Sequence, residues 1–184
     1  MKKLALITAM LAIHGVSSAQ ETTKPSTYLE LGFGMLKYTE PGLSFSPMYT
    51  RLLAGKNINE HFGVEGLIGT SIASEKKTYK DFEYTNSVPL IYGLYAKVFA
   101  NPTEELEVFG RIGYGGISTK FDVKSIDGSE KVSISDTGSN YSFGIGAKYA
   151  VNKTTSLSVD YMQYYPSKNS IQIGGVTVGL SYNF

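Results

Sequence analysis

Gly175-Val176-Thr177-Val178-Gly179-Leu180-Ser181-Tyr182-Asn183-Phe184 closes the chain in strict alternation. In an extended strand Val176, Val178, Leu180, Tyr182 and Phe184 share one face, and Gly175, Thr177, Gly179, Ser181 and Asn183 share the other. One face is oily and the other is small and polar. A soluble sandwich would turn the oily face inward and a membrane barrel would turn it outward, so this strand needs its neighbours to decide between them.

Working back from the C-terminus, the period recurs. Leu157, Val159 and Tyr161 oppose Ser158, Asp160 and Met162; Phe143, Ile145, Ala147 and Tyr149 oppose Ser142, Gly144, Gly146 and Lys148. Leu106, Val108, Gly110, Ile112 and Tyr114 oppose Glu107, Phe109, Arg111 and Gly113, while Tyr92, Leu94, Ala96 and Val98 oppose Gly93, Tyr95, Lys97 and Phe99. Leu29, Leu31, Phe33 and Met35 oppose Glu30, Gly32, Gly34 and Leu36. Two weaker segments complete the set. Residues 48–56 have an ambiguous phase, resolved with Thr50, Leu52 and Ala54 outward and Arg51 inward; residues 62–71 place Phe62, Val64 and Ile68 outward and Glu65 inward.

Connections alternate in length. Short turns at 57–61, 101–104 and 152–155 are rich in Asn, Pro and Thr. Longer segments lie at 39–46, 74–87, 118–140 and 166–170, and Asp127-Gly128 within the third is a hairpin signal that extends its strands beyond the membrane. A sandwich has no reason to sort its loops this way, whereas outer-membrane barrels have short periplasmic turns and long external loops. The expected fold is therefore all-β: an eight-stranded antiparallel up-and-down transmembrane β-barrel with both termini periplasmic. Closure is required, because an open edge in lipid leaves unpaired backbone groups.

The inner-face charges separate barrel from sandwich. One consistent phase turns Glu30, Glu65, Glu107 and Asp160 inward with Arg51, Lys97, Arg111 and Lys148, four acids against four bases. A narrow bore satisfies such charges by pairing them, and most lie near a short turn, which puts the network in the periplasmic half. Glycines on the same face (Gly32, Gly34, Gly113, Gly144, Gly146 and Gly179) make room in a tight cylinder. Tyrosines on the oily face, such as Tyr92, Tyr114, Tyr149, Tyr161 and Tyr182, suit lipid headgroup girdles. With about eight strands, side chains fill the interior, so general porin activity is not expected.

The N-terminus reads as a cleaved signal peptide over residues 1–19: Lys2 and Lys3, an apolar run from Leu4 to Val16, then Ser17-Ser18-Ala19. Residues 20–27 read as a short leader, and 28–184 as the barrel domain. Loss of Lys2 and Lys3 takes the basic count from 17 to 15 against 16 acids, a balance that gives no reason for nucleic-acid binding. Mean hydropathy is −0.09, which in a barrel conceals one fully apolar face. The chain has no Cys, so neither disulfides nor a thiolate metal site contribute.

Several of these segments resemble the OmpA-like transmembrane barrels with their relatives OmpX and Ail. The resemblance covers the mature chain and is carried by Tyr92-Gly93-Leu94-Tyr95-Ala96-Lys97, Asn101-Pro102-Thr103, Phe109-Gly110-Arg111-Ile112-Gly113-Tyr114, Gly144 to Tyr149, and Leu180-Ser181-Tyr182-Asn183-Phe184. Leu180, Tyr182 and Phe184 resemble that family's barrel-assembly signal. The resemblance implies an outer-membrane surface protein, folded by the barrel-assembly machinery and contributing to envelope integrity, adhesion or host interaction. Its implied surroundings are outer-membrane lipid and lipopolysaccharide.

Catalysis would need a nucleophile and a base. After signal cleavage the one histidine is His61, beside Glu60 on a predicted periplasmic turn, whereas lipid A-modifying barrels carry theirs near the outer leaflet. No catalytic residue, metal site or cofactor is therefore assigned; Asp122, Asp127 and Glu130 are at most a loose cation site on a solvated loop. What remains for function is the external surface, where Lys76, Lys77, Tyr79, Lys80, Phe82 and Tyr84 form a candidate contact patch for lipopolysaccharide phosphates or a host surface ligand. A non-enzymatic surface barrel is the first reading, a narrow ion or small-solute channel the second and a lipid A-modifying enzyme the third.

Overall fold

The structure is a computed structural model that describes residues 26–184 other than 42, 128, 130, 169 and 170. The expected signal peptide and residues 20–25 of the leader lie outside the described residues, as do Gly128, Glu130 and the side chain of Tyr79. The strands are β1 (Thr27–Glu40), β2 (Leu43–Phe45), β3 (Met48–Asn57), β4 (Phe62–Ala73), β5 (Glu75–Tyr79), β6 (Phe82–Ala100), β7 (Leu106–Ser125), β8 (Lys131–Ala150), β9 (Thr155–Lys168) and β10 (Ile171–Asn183).

Eight of them close an antiparallel barrel in sequence order, with β10 returning to β1 in the register Tyr28↔Asn183 through Thr39↔Gln172. β2 and β5 are outer continuations of β3 and β4, paired with β1 and β6. Proline explains two irregularities, since it offers no N–H to a ladder. Pro47 sits in the break between β2 and β3, and Val88-Pro89 forms the register shift in β6, where the Ser71 hydroxyl receives the Val88 N–H at 2.9 Å.

The wall inverts a soluble protein. Leu94 and Ile145 are 74% and 69% exposed, while Arg51 and Lys97 are each 1% exposed. In water that arrangement would leave apolar surface wet and charge dry; in hydrocarbon the exposed face is solvated by lipid. The ambiguous strand resolves as expected from Arg51: Leu52 faces outward and Leu53 inward. One expected loop forms a regular hairpin, and another extends its strands outward as its Asp-Gly signal implies. Residues 74–87 form the β5/β6 hairpin with a two-residue turn at Lys80-Asp81, where Lys80 has φ 53°. Most of 118–140 continues the β7/β8 ladder out to Lys124↔Lys131, because alternating Phe121, Val123, Val132 and Ile134 favour strand over coil. Beyond Tyr114 this hairpin runs another roughly 35 Å along the strand, at about 3.3 Å per residue.

Candidate functional site

Two inner regions are formed by side chains from distant parts of the chain: a charged layer near the short turns and an aromatic mouth at the opposite end. Alternation alone delivers the charges to the bore, because each sits at the inward phase of its strand. Arg51 on β3 is the hub. Its Nη1 donates to Asp160 Oδ1 at 3.0 Å and its Nη2 donates to Glu30 Oε1 at 2.9 Å, with a further bond to Asp160 Oδ2. Arg111 lies on the other side of Asp160, with Nη1 3.2 Å from Oδ2, and its Nε donates to Glu65. One aspartate therefore neutralises two guanidinium groups, the bidentate geometry that suits arginine better than lysine.

Below that hub, Lys97 Nζ lies 2.9 Å from Glu107 Oε1 at an angle unsuited to a hydrogen bond, so the contact is ionic. Lys148 Nζ lies 3.8 Å from Glu30 Oε2, which also receives the Ser181 hydroxyl at 2.9 Å. Aromatic faces complete the layer: Lys148 is 4.0 Å from the Tyr28 ring centroid, Lys97 4.5 Å from Phe99, and the Arg111 guanidinium 4.4 Å from Phe109. All eight inner-face charges thus have an opposite charge within ion-pair distance. Glycine makes the fit possible: a Cβ on Gly146 would come 2.5 Å from both Asp160 Cβ and the Phe109 ring.

Above the charges, Tyr49, Tyr164 and Thr177 join by hydroxyl hydrogen bonds, 3.0 Å between the two tyrosines, and Met162 and Ile91 are buried beside them. At this height buried side chains from β3, β6, β9 and β10 occupy the bore. Beyond this plug the inner surface becomes a mouth of Tyr38, Phe121 and Phe45, with ring centroids 5.2 and 5.8 Å from Phe121.

This architecture has a counterpart among known proteins. The model of the outer membrane protein beta-barrel domain matches residues 6–184. The chain belongs to that family.

Among solved structures, this outer-membrane barrel is similar to Ail, the attachment invasion locus protein of Yersinia pestis, crystallised with the heparin analogue sucrose octasulfate: 18% identity, 88% of this chain, 100% of that chain, TM-score 0.64. It is similar to Neisserial surface protein A (NspA) at 16% identity, 86% of this chain and 97% of that one, TM-score 0.57. It is also similar to OprG of Pseudomonas aeruginosa at 15% identity, covering 87% and 96%, TM-score 0.54. At such identities the likeness concerns the fold. No curated protein sequence matches the chain significantly.

The loop patch read from sequence is split by strand geometry. Lys77 pairs with Tyr84 and so shares the barrel's inner face with it, while Lys76 lies on the opposite face, 3.1 Å from Glu83. Lys77 Nζ is 3.6 Å from Glu75, bonds the Ser44 carbonyl and sits 5.2 Å from the Phe45 ring centroid. His61 is exposed in the β3/β4 turn. Asp122 is 3.5 Å from Lys120 and accepts from Ser133, and Asp127 is engaged by Ser125 and Ser129. Among the described residues no group of three or more His, Cys, Asp or Glu side chains gathers as a metal site. At the C-terminus, Leu180 and Tyr182 stand on the outer face, with the Tyr182 and Phe184 rings 5.1 Å apart.

Sequence reasoning missed the aromatic plug and one backbone feature. β8 pairs with β7 along its whole length but with β9 only from Phe143 to Ala150. From Lys131 to Ser142 its other edge meets no strand among the described residues. Thr137 N–H and Tyr141 N–H donate to the side-chain oxygens of Asp136 and Asn140, at 2.9 and 2.8 Å, which shows that odd-numbered amides point to the open side. The signal was unequal strand length, 20 residues in β8 against 14 in β9.

Proposed function

We propose that the chain is a non-enzymatic surface protein of the outer membrane, exported by its signal peptide, which contributes to adhesion by pairing the β8 edge with an extended segment of an external protein. The carrying observation is that edge, Lys131 to Ser142, held out on the β7/β8 hairpin. Exposed strand edges accept a further strand through main-chain hydrogen bonds, which supply affinity with little dependence on side chains. The likeness in fold to Ail, the attachment invasion locus protein of Yersinia pestis, is consistent with this reading. A polyanion fits the surface less well, because Lys76 and Lys77 already face Glu83 and Glu75. A channel fits poorly too, since the Tyr49-Tyr164-Thr177 plug stands across the bore.

The test is attachment of bacteria displaying the chain to cultured host cells. Ser135→Pro and Ser139→Pro each remove an amide on the open side while sparing the ladder to β7. Attachment falls toward that of cells lacking the barrel, with heat-modifiable gel mobility retained. Unchanged attachment in a variant that folds would refute the edge as the contact. In planar bilayers the refolded barrel gives no reproducible conductance steps; steady steps would favour the channel instead.

A further inference from the structure

A cavity of about 390 Å³ opens above the plug, between the inner faces of β1, β6, β7, β8, β9 and β10. Its floor is Ile117 and Ile173, both buried, and its walls include the rings of Tyr38, Phe121 and Tyr165. Two carboxylates, Glu40 and Asp136, lie on its lining, and among the described residues no Lys or Arg does. Lys77, on the same inner face, is engaged by Ser44 and Glu75 instead.

We propose that this mouth cavity binds a small organic cation whose ammonium group is carried on an apolar body. The volume falls at the lower end of small-molecule pockets, which run from about 300 to 1,000 Å³ and combine an apolar lining with a few polar groups. Tyr38 donates its hydroxyl to Glu40 Oε2 at 2.9 Å, which fixes one carboxylate at the rim and leaves Oε1 to face a ligand. Asp136 Oδ1 is likewise fixed by the Thr137 amide at 2.9 Å. A cation entering between them meets two negative charges and the faces of aromatic rings, the combination that selects ammonium over a neutral group of equal size. The apolar body would cover Ile117 and Ile173. An anion meets the same carboxylates as repulsion, so the site discriminates by sign. The site shares Asp136 with the β8 edge segment, but cation binding by the refolded barrel needs no adhesion partner, so the two readings fail separately.

Isothermal titration of the refolded barrel in octyl glucoside, a detergent without an ammonium group, tests this with benzyltrimethylammonium as the probe and benzenesulfonate as the anionic counterpart. Benzyltrimethylammonium binds saturably at one site per barrel and benzenesulfonate gives no saturable heat. Glu40→Gln with Asp136→Asn weakens the cation at least tenfold, and Phe121→Ala does the same with both carboxylates intact. Absence of saturable binding to the unaltered barrel, or equal binding of cation and anion, overturns the proposal without recourse to any variant. Unchanged affinity in the carboxylate variant, with heat-modifiable mobility intact, overturns it as well.

Discussion

Replacing Asp160 by Asn keeps the shape of the side chain and removes the charge that Arg51 and Arg111 share. Both guanidinium groups lie about 3 Å from that carboxylate, at 3.0 Å for Arg51 Nη1 and 3.2 Å for Arg111 Nη1. At an effective dielectric of about 20 each contact carries a gross attraction of roughly 5 kcal/mol, much of it offset by the desolvation of the carboxylate. Removing one partner of a buried pair costs about 3 to 5 kcal/mol, because the charges left behind stay dry. Asp160→Asn leaves three acids against four bases in the bore, so it should cost that amount. The double change Asp160→Asn with Arg51→Met restores the balance. Glu30 then keeps Lys148 at 3.8 Å and Ser181 at 2.9 Å, and Arg111 keeps Glu65. The double variant should recover at least half of the loss. Urea unfolding in phospholipid vesicles, followed by gel mobility without heating, measures both. A cost below about 1 kcal/mol for the single change, or a double variant weaker than the single, would refute the view that charge balance in the bore governs stability.

Asn86 is fully buried with neither polar side-chain atom hydrogen-bonded among the described residues; Asn86→Leu removes an unsatisfied group worth about 1 to 3 kcal/mol and should raise the urea midpoint, where a fall would count against the assignment. Gly146→Ala forces a methyl against Phe109 and Asp160 and should destabilise by about 1 to 3 kcal/mol in the same assay, with Gly110→Ala, whose methyl would lie 3.8 Å from the Gly144 carbonyl, close to neutral. The Ser125 hydroxyl, with the amide and hydroxyl of Ser129, lowers the Asp127 carboxyl to about 2. A depressed folded value means the turn is supported above the ordinary carboxylate range near 4 and loses that support as pH falls through about 2. The Ser129 amide shift, followed by NMR, should titrate near about 2 and move upward in Ser125→Ala; a midpoint near 4 in the unaltered protein would exclude the bond.

Much of the barrel is legible because its two faces obey opposite rules. Wherever Leu, Val or Ile alternates with Gly, Ser or a charge, as in β10 and β9, face and phase follow directly. Leu52-Leu53 is harder, since adjacent leucines satisfy either phase, and Arg51 was the residue that chose. The inner apolar residues are harder still: Leu36, Leu53, Ile91 and Met162 are buried on the face where polarity is the rule. Which acid meets which base depends on how far the strands are sheared around the circle, and Arg51 and Asp160 lie 109 positions apart. The cavity was invisible for the same reason, with Tyr38, Phe121 and Tyr165 on three separate strands. How the loop patch divides was not legible, because which of Lys76 and Lys77 faces inward depends on the register of the β5/β6 hairpin.

The seam between β1 and β10 makes the barrel depend on its own last hairpin. Glu30 is 151 positions from Ser181, and Asp160 and the β10 seam strand are both supplied by that hairpin, so Arg51 and Arg111 have no shared counter-charge until late in assembly. A sheet lacking β9 and β10 would keep Glu30 beside Arg51 and Glu65 beside Arg111 but lose the carboxylate that joins the two pairs, and its open edges would leave backbone groups unpaired in hydrocarbon. Neutrality of the bore and closure of the wall are thereby completed by the same hairpin, so a truncated chain lacks both at once.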